Sequence, residues 1–339
     1  MELVEYTAAD STDIVGLMNL ALGRTAEVQR DVAYWNWKHE RNPCGQSLVL
    51  LAKVAGQLVG MRSFLRWNLR VHDQILPVAK PVDTVTHPEF QRRGIFRMLT
   101  QEACQRAAAA GVCFLFNTPN QNSRPGYLQL GWREVGRLPV RVCPRRPLVI
   151  STRLLRSWFG GQRPAARLSC KCTLPSAAEV LADRAGIETL LAALPVETYA
   201  TTVRSYPWLR WRYGEHPHAD YRAVAFREGG ELAGLAFCRM RERRGLAEAI
   251  VDDVLVREDR EQTMAALIQQ LLRAIGADYI VAHAGRHGAF GHLWRRCTWP
   301  APRRTSLSLL GRVIGPLPAG WDAFDQTQWN LCLGDLEGL

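Results

Sequence analysis

Val82-Asp83-Thr84-Val85-Thr86-His87-Pro88-Glu89-Phe90-Gln91-Arg92-Arg93-Gly94-Ile95-Phe96-Arg97-Met98-Leu99 organises the reading of this chain. A β-branched run that stops at a proline reads as the end of a strand, and the polar, basic residues after it read as a turn. Gly94 then opens a run in which Ile95, Leu99, Ala103 and Ala107 recur at a spacing of four, the mark of a helix with one apolar face. Strand, turn and helix in that order aim free amides and the positive helix end at one point. Gly94 lets an anion approach that backbone closely. The nucleotide loops are excluded by spacing, since the chain contains neither Gly-x-x-x-x-Gly-Lys-Ser/Thr nor Gly-x-Gly-x-x-Gly.

Outward from this segment, residues 3–7 read as a strand, and Ser11 or Thr12 as the cap of a helix running to about residue 22. A short helix carries Trp35 and Trp37. Strands follow over 47–54, 58–71 and 75–86, then the helix 94–110 and a strand over 112–117. A short helix over 123–130 and a last strand after Gly131-Trp132 complete the series. Strands mixed with helices in this order predict an α/β (α+β) layer fold, a mixed twisted sheet flanked by helices.

The order then repeats. Tyr34-Trp35-Asn36-Trp37-Lys38-His39-Glu40-Arg41-Asn42-Pro43 matches Trp208-Leu209-Arg210-Trp211-Arg212-Tyr213-Gly214-Glu215-His216-Pro217, and Gly56-Gln57-Leu58-Val59-Gly60 matches Gly230-Glu231-Leu232-Ala233-Gly234, at an offset of 174. Val82-Asp83-Thr84-Val85 matches Val251-Asp252-Asp253-Val254 at 169, and Trp132 matches Trp299 at 167. An offset that only shrinks implies two copies of one fold, the first with longer loops. The expected organisation is a first domain over 1–140, a basic connecting segment over 141–170 and a second, degenerate domain over 171–339.

Two segments carry a family resemblance. Gln91-Arg92-Arg93-Gly94-Ile95-Phe96 resembles the Gln/Arg-x-x-Gly-x-Gly/Ala pyrophosphate loop of the GNAT superfamily of acyl-CoA-dependent N-acyltransferases. Asn117-Thr118-Pro119-Asn120-Gln121-Asn122-Ser123-Arg124-Pro125-Gly126-Tyr127, continuing to Gly131-Trp132, resembles that family's Asn-x-x-Ser/Ala-x-x-x-Tyr-x-x-x-Gly-Phe segment. Phe96 departs from the small residue usual there. The resemblance implies a tandem GNAT protein whose first copy is catalytic. Acetyl-CoA is then the expected co-substrate, without a metal, and a small-molecule primary amine the acceptor, an amino sugar among the candidates. Transferred position by position, Val85, Thr86 and His87 would pair with the pantetheine arm. Gln91, Arg92, Arg93, Gly94, Ile95, Phe96, Arg97 and Met98 would hold the pyrophosphate, and Asn122 and Ser123 would lie along the cofactor. Tyr127 would protonate the departing thiolate. Asp83 or His87 would take the proton of the attacking ammonium, and in some tandem relatives a chain-terminal carboxylate, here that of Leu339, enters the site.

In the second copy Arg260-Glu261-Gln262-Thr263 falls over Gln91-Arg92-Arg93-Gly94. The glycine is gone, and Glu258, Asp259 and Glu261 would repel a pyrophosphate, so this copy is expected to shape the acceptor side or to serve as scaffold. His283, His287 and His292 lack the spacing of a zinc site, and Cys170 and Cys172 read as packing on one strand face. The tryptophan pairs read as interior.

Over 339 residues 47% are apolar and 22% charged, which excludes a disordered or fibrous chain. The net charge is +11, and no acid lies between Glu134 and Glu179 while nine basic residues do. We read that excess as a solvated face attracting small anions, with no nucleic-acid partner expected. Residues 148–159 are amphipathic and basic, and read as a connecting helix before a membrane-surface contact. Nine scattered cysteines with no Cys-x-x-Cys, an acidic start and no long apolar run lead us to expect a cytoplasmic protein. Two other classes stay open: a tRNA-dependent aminoacyl transferase of the peptidoglycan type, and a CoA-binding scaffold without turnover.

Overall fold

The structure, a computed structural model, describes residues 1–23, 29–158, 171–195, 198–283, 285, 288–300 and 307–336. Two large sheets and a two-stranded one (β8 with β13) are built from strands β1 (Glu2–Glu5), β2 (Leu48–Val54), β3 (Gln57–Val71), β4 (Gln74–Thr86), β5 (Phe114–Asn117), β6 (Arg133–Leu138), β7 (Val140–Pro144), β8 (Lys171–Cys172), β9 (Thr201–Thr202), β10 (Tyr221–Glu228), β11 (Glu231–Arg243), β12 (Leu246–Val256), β13 (Ile275–Gly276), β14 (Tyr279–His283), β15 (Trp299–Pro300) and β16 (Leu307–Val313). The first sheet runs β1-β2-β3-β4-β5-β16-β6, with β9 beside β3; the second runs β10-β11-β12-β14-β7-β15. Helices Ser11–Leu22 and Ile95–Ala109 cover the first sheet, and helix Glu261–Ala274 the second.

From β2 onward the first order corresponds to the second, β1 having no counterpart there, and the two sheets exchange one member. β7, which follows β6 directly, leaves for the second sheet, where it pairs antiparallel with β14 and β15. β16 returns to the first sheet and pairs antiparallel with both β5 and β6. Each sheet therefore obtains an interior strand from the other half of the chain, and each would keep unpaired ladder groups without it.

Residues matched at the offset of 174 meet in the structure. Trp37 Nε1 donates to the Trp211 carbonyl (2.8 Å) and Trp211 Nε1 to the Trp37 carbonyl (2.7 Å), a reciprocal pair 174 residues apart. Their rings stack at 4.9 Å, and with Trp67, Trp208 and Tyr213 they build the buried seam between the halves. Satisfying each indole N–H this way removes the cost of burying it. Both tryptophans sit in single π-helical turns, Asn36–Glu40 and Arg210–Gly214. Gly60 and Gly234 also repeat one task. A Cβ on Gly60 would stand 2.6 Å from Ile95 Cγ2 and one on Gly234 3.2 Å from Leu267 Cδ2, so each glycine lets a helix lie close on its sheet.

One expected cap is displaced. The helix starts at Ser11 without a side-chain cap; instead Asp10 Oδ2 accepts from the Thr7 amide (2.9 Å) and hydroxyl (2.8 Å) around a 3-10 turn over Ala8–Asp10. That box closes one turn earlier because Asp10 stands three residues after Thr7, the spacing such a box needs. Among the described residues, no helix is long and apolar enough to cross a membrane.

Candidate active site

The site begins where two strands part. β4 and β5 run parallel and pair at Val78–Phe114 and Ala79–Leu115; β4 then continues to Thr86 with no strand partner on that side among the described residues. On its other side β4 stays paired with β3, and the His87 amide donates to the Val59 carbonyl (2.8 Å). Antiparallel ladders alternate, so Val85 turns its backbone to Met61 on β3, while Thr86 presents its N–H and C=O to the open edge. The side chain of Val85 is buried against the helix Ser11–Leu22.

At the end of that edge lies the turn. Arg92 (φ 61°) and Gly94 (φ 79°) both adopt the left-handed conformation, which folds successive amides toward one side. The first intrahelical bond runs from the Met98 amide to the Gly94 carbonyl (3.0 Å), and no side chain caps the helix, leaving the amides of Ile95, Phe96 and Arg97 pointing out of its end. Gln91, Arg92, Arg93, Gly94 and Arg97 are exposed. Arg93 lies over the Phe90 ring (4.8 Å), and among the described residues Arg92, Arg93 and Arg97 pair with no carboxylate. Phe96 leans away from this opening. Its ring packs on Gly126, where a Cβ would approach to 3.0 Å, and edge-on against Tyr127 at 5.7 Å.

Tyr127 stands on the short helix Arg124–Gln129, is 4% exposed, and packs edge-on against Trp132 at 5.1 Å. Its phenol oxygen accepts from Arg62 Nη1 at 3.0 Å. Asn122 is exposed and Ser123 half-buried, and the amides of both donate to Asn120 Oδ1 (3.0 and 2.9 Å). Asn120 thus holds the loop that enters this helix, a role the motif alone assigned to no residue.

Asp83 (φ 45°) occupies a β-bulge, where Asp83 and Thr84 face the single residue Arg62. Its carboxylate meets Lys38 Nζ at 2.7 Å and His39 Nε2 at 3.1 Å, and His39 Nδ1 lies 2.9 Å from Ser47 Oγ. Burial pushes this carboxyl upward, but the Lys38 charge and the His39 hydrogen bond outweigh it and hold it well below the usual carboxylate range. His87 Nδ1 accepts the Glu89 amide at 3.3 Å, closing the turn Pro88–Phe90. In the neutral ring the proton then sits on Nε2.

The equivalent turn of the second half lacks the glycine and has its arginines paired with carboxylates, although its helix end is likewise without a side-chain cap. Arg260 pairs with Glu258, Arg257 with Glu228 (3.4 Å) and Glu231 (3.1 Å), and Thr263 donates to Glu228 at 2.7 Å. A cavity of about 460 Å³ lies where β12 leaves β14, lined by Arg70, Arg204, Asp252, His283 and Met264 among others. Arg70 is eight residues from Arg62 along β3, roughly 26 Å of strand. His283 Nδ1 is bound to the Pro139 carbonyl (2.8 Å) and His292 lies 3.8 Å from Glu261. His287, Cys170 and Leu339 fall outside the described residues, as does 159–170 of the basic segment.

With this geometry in place, comparison with known proteins decides the family. Residues 2–135 match the model of the acetyltransferase (GNAT) domain. The first lobe is a GNAT domain. A probable N-acyltransferase from Enterococcus faecalis covers 93% of this chain and 73% of its own length at TM-score 0.65 and 12% identity. A GCN5-related N-acetyltransferase from Anabaena variabilis covers 92% and 72% at TM-score 0.64 and 12% identity. Yeast N-myristoyltransferase with bound myristoyl-CoA covers 91% and 82% at TM-score 0.55 and 9% identity. At such identities these likenesses speak for the fold. No curated protein sequence matches the chain. The GNAT family transfers acyl groups from a CoA thioester, and this coarse activity is the one the domain carries.

Proposed function

We propose that the GNAT lobe transfers an acyl group, most simply acetyl from acetyl-CoA, to a primary amine by direct attack on the thioester carbon. The observation that carries this reading is the turn Gln91 to Gly94. It offers outward amides at an uncapped helix end, three arginines without carboxylate partners, and a free strand edge leading away from it. A diphosphate supplies the negative charge this end of the helix favours, and a pantetheine arm supplies the amide partners that Thr86 lacks. Asn122 and Ser123 line the approach, and Tyr127 is the proton donor to the thiolate.

The ammonium proton goes to water in this reading. Asp83 is held as an anion by Lys38 and His39, and neutral His87 has no free lone pair while its Nδ1 accepts the Glu89 amide. The second lobe, whose turn has lost the glycine and pairs its arginines with carboxylates, serves as scaffold and strand donor and binds no CoA. A small amine such as an amino sugar is the acceptor class, and a cytoplasmic location suits both the substrate and the free cysteines.

An amine panel offered with acetyl-CoA, read by free thiol release, tests the assignment. Turnover with at least one amine, reduced about 10²–10⁴-fold by Tyr127→Phe, is expected. Salt-sensitive tRNA affinity with no CoA binding would replace the reading by the aminoacyl-transferase class. Tight acetyl-CoA binding without turnover of any amine would leave a scaffold.

A further inference from the structure

Arg62 is a cation in an unexpected place. It stands in β3 within Val59-Gly60-Met61-Arg62-Ser63-Phe64-Leu65, has no exposed surface, and among the described residues forms no ion pair. Its Nη1 donates to the Thr84 hydroxyl and to Tyr127 Oη (3.0 Å), while Nε and Nη2 have no partner. The rings of Tyr127, Phe64 and Phe96 surround the guanidinium at 5.0, 5.1 and 5.3 Å. Ring faces return only part of what burying an uncompensated charge costs. A methionine here would pack among the same rings without that cost, so the fold alone gives no reason for an arginine.

We infer that Arg62 is the positioning residue that makes Tyr127 a proton donor, an inference that rests on the acyl-transfer reading above. Guanidinium has donors only, so the phenol oxygen must accept, and the phenol hydrogen is turned away from Arg62. Thr84 fixes the other side of the same Nη1, which ties the guanidinium to β4 at its bulge. Alternation along β3 puts Gly60, Arg62 and Phe64 on one face, and this seats Arg62 against the Tyr127 ring.

The step balances as follows. The neutral acceptor nitrogen forms a bond to the thioester carbon, and the C–S bond breaks with its electron pair going to sulfur. The Tyr127 hydroxyl proton passes to that sulfur, giving CoA thiol, while the ammonium proton of the new amide is lost to water. The phenolate left behind lies beside an unneutralised guanidinium, which stabilises it until water returns a proton.

Arg62→Met, Tyr127→Phe and the double variant of the full chain, each measured for kcat and KM, acetyl-CoA affinity by calorimetry and thermal midpoint, test the inference. Arg62→Met is expected to lower kcat about 10–100-fold, to change acetyl-CoA affinity less than about 3-fold, and to leave the midpoint unchanged or higher. Combined with Tyr127→Phe it should add less than about 2-fold, because both act through one proton. Arg62→Lys, which keeps a donor cation, should recover part of the rate. Equal losses from Arg62→Met with and without the Tyr127 hydroxyl would overturn the inference, as would a full rate in Arg62→Met beside a slow Tyr127→Phe. A midpoint lowered by both Arg62→Met and Arg62→Lys, with kcat following it, would assign Arg62 to the fold. A full rate in Tyr127→Phe is a separate result: it removes the donor assigned under the proposed function.

Discussion

Gly94→Glu puts the anion site under direct strain. Gly94 has φ 79° and ψ 1°, and a Cβ there meets nothing within 4 Å, so the only structural cost is a left-handed backbone for an L residue. That cost is about 1–2 kcal/mol, and Gly94→Gln carries it equally. The charge is the remaining difference. A carboxylate about 5 Å from two phosphate charges, at an effective dielectric between about 40 and 80, is repelled by roughly 1.7–3.3 kcal/mol. Every 1.4 kcal/mol is tenfold, so Gly94→Glu should bind acetyl-CoA about 15–250-fold more weakly than Gly94→Gln. Calorimetry at low and high salt measures both, and the gap should narrow as salt screens the pair. Equal affinities for the two variants, or a gap indifferent to salt, would mean that no diphosphate sits at this turn.

Further expectations follow from other contacts. Asp83→Asn removes the carboxylate that the 3% exposed Lys38 meets at 2.7 Å, and should destabilise the fold by about 3–5 kcal/mol in urea unfolding. Because the folded Asp83 carboxyl lies below its ordinary value of 3.8, the stability it contributes is present above that pH and lost as pH falls through the folded value; wild-type and Asp83→Asn midpoints should therefore converge on acidification. Gly60→Ala should cost about 1–3 kcal/mol, since the added Cβ overlaps Ile95, and should weaken acetyl-CoA binding by shifting the helix whose end forms the site; unchanged affinity would detach that helix from the ligand. A fragment of residues 1–144 lacks β16 between β5 and β6 and should fail to unfold cooperatively on its own, whereas co-expression with the remainder should restore a cooperative transition.

Much of this molecule is written locally. The turn at Gly94 and its helix follow from a glycine, a proline and a spacing of four, and the 174-residue offset shows again in Trp37 and Trp211, because backbone preference and periodicity act over a few residues. The segment ending at Tyr127 was legible as a motif, although Asn120, not its neighbours, proved to hold the loop. The sole sequence trace of Arg62 was a charge inside an apolar strand, and nothing near Asp83 in the chain announced Lys38 and His39, which arrive from 45 and 44 residues away.

What the amino-acid order settled, then, is the kind of fold and the turn at Gly94 that opens its helix. The tertiary structure alone decided that β7 and β16 trade sheets, that a buried guanidinium faces the phenol, and that Arg257 and Arg260 at the second turn pair with Glu228, Glu231 and Glu258. The physical reason is range. Turns and helix ends are governed by neighbouring dihedral angles, whereas strand exchange and ion pairing depend on which edges and charges remain unsatisfied once distant segments meet.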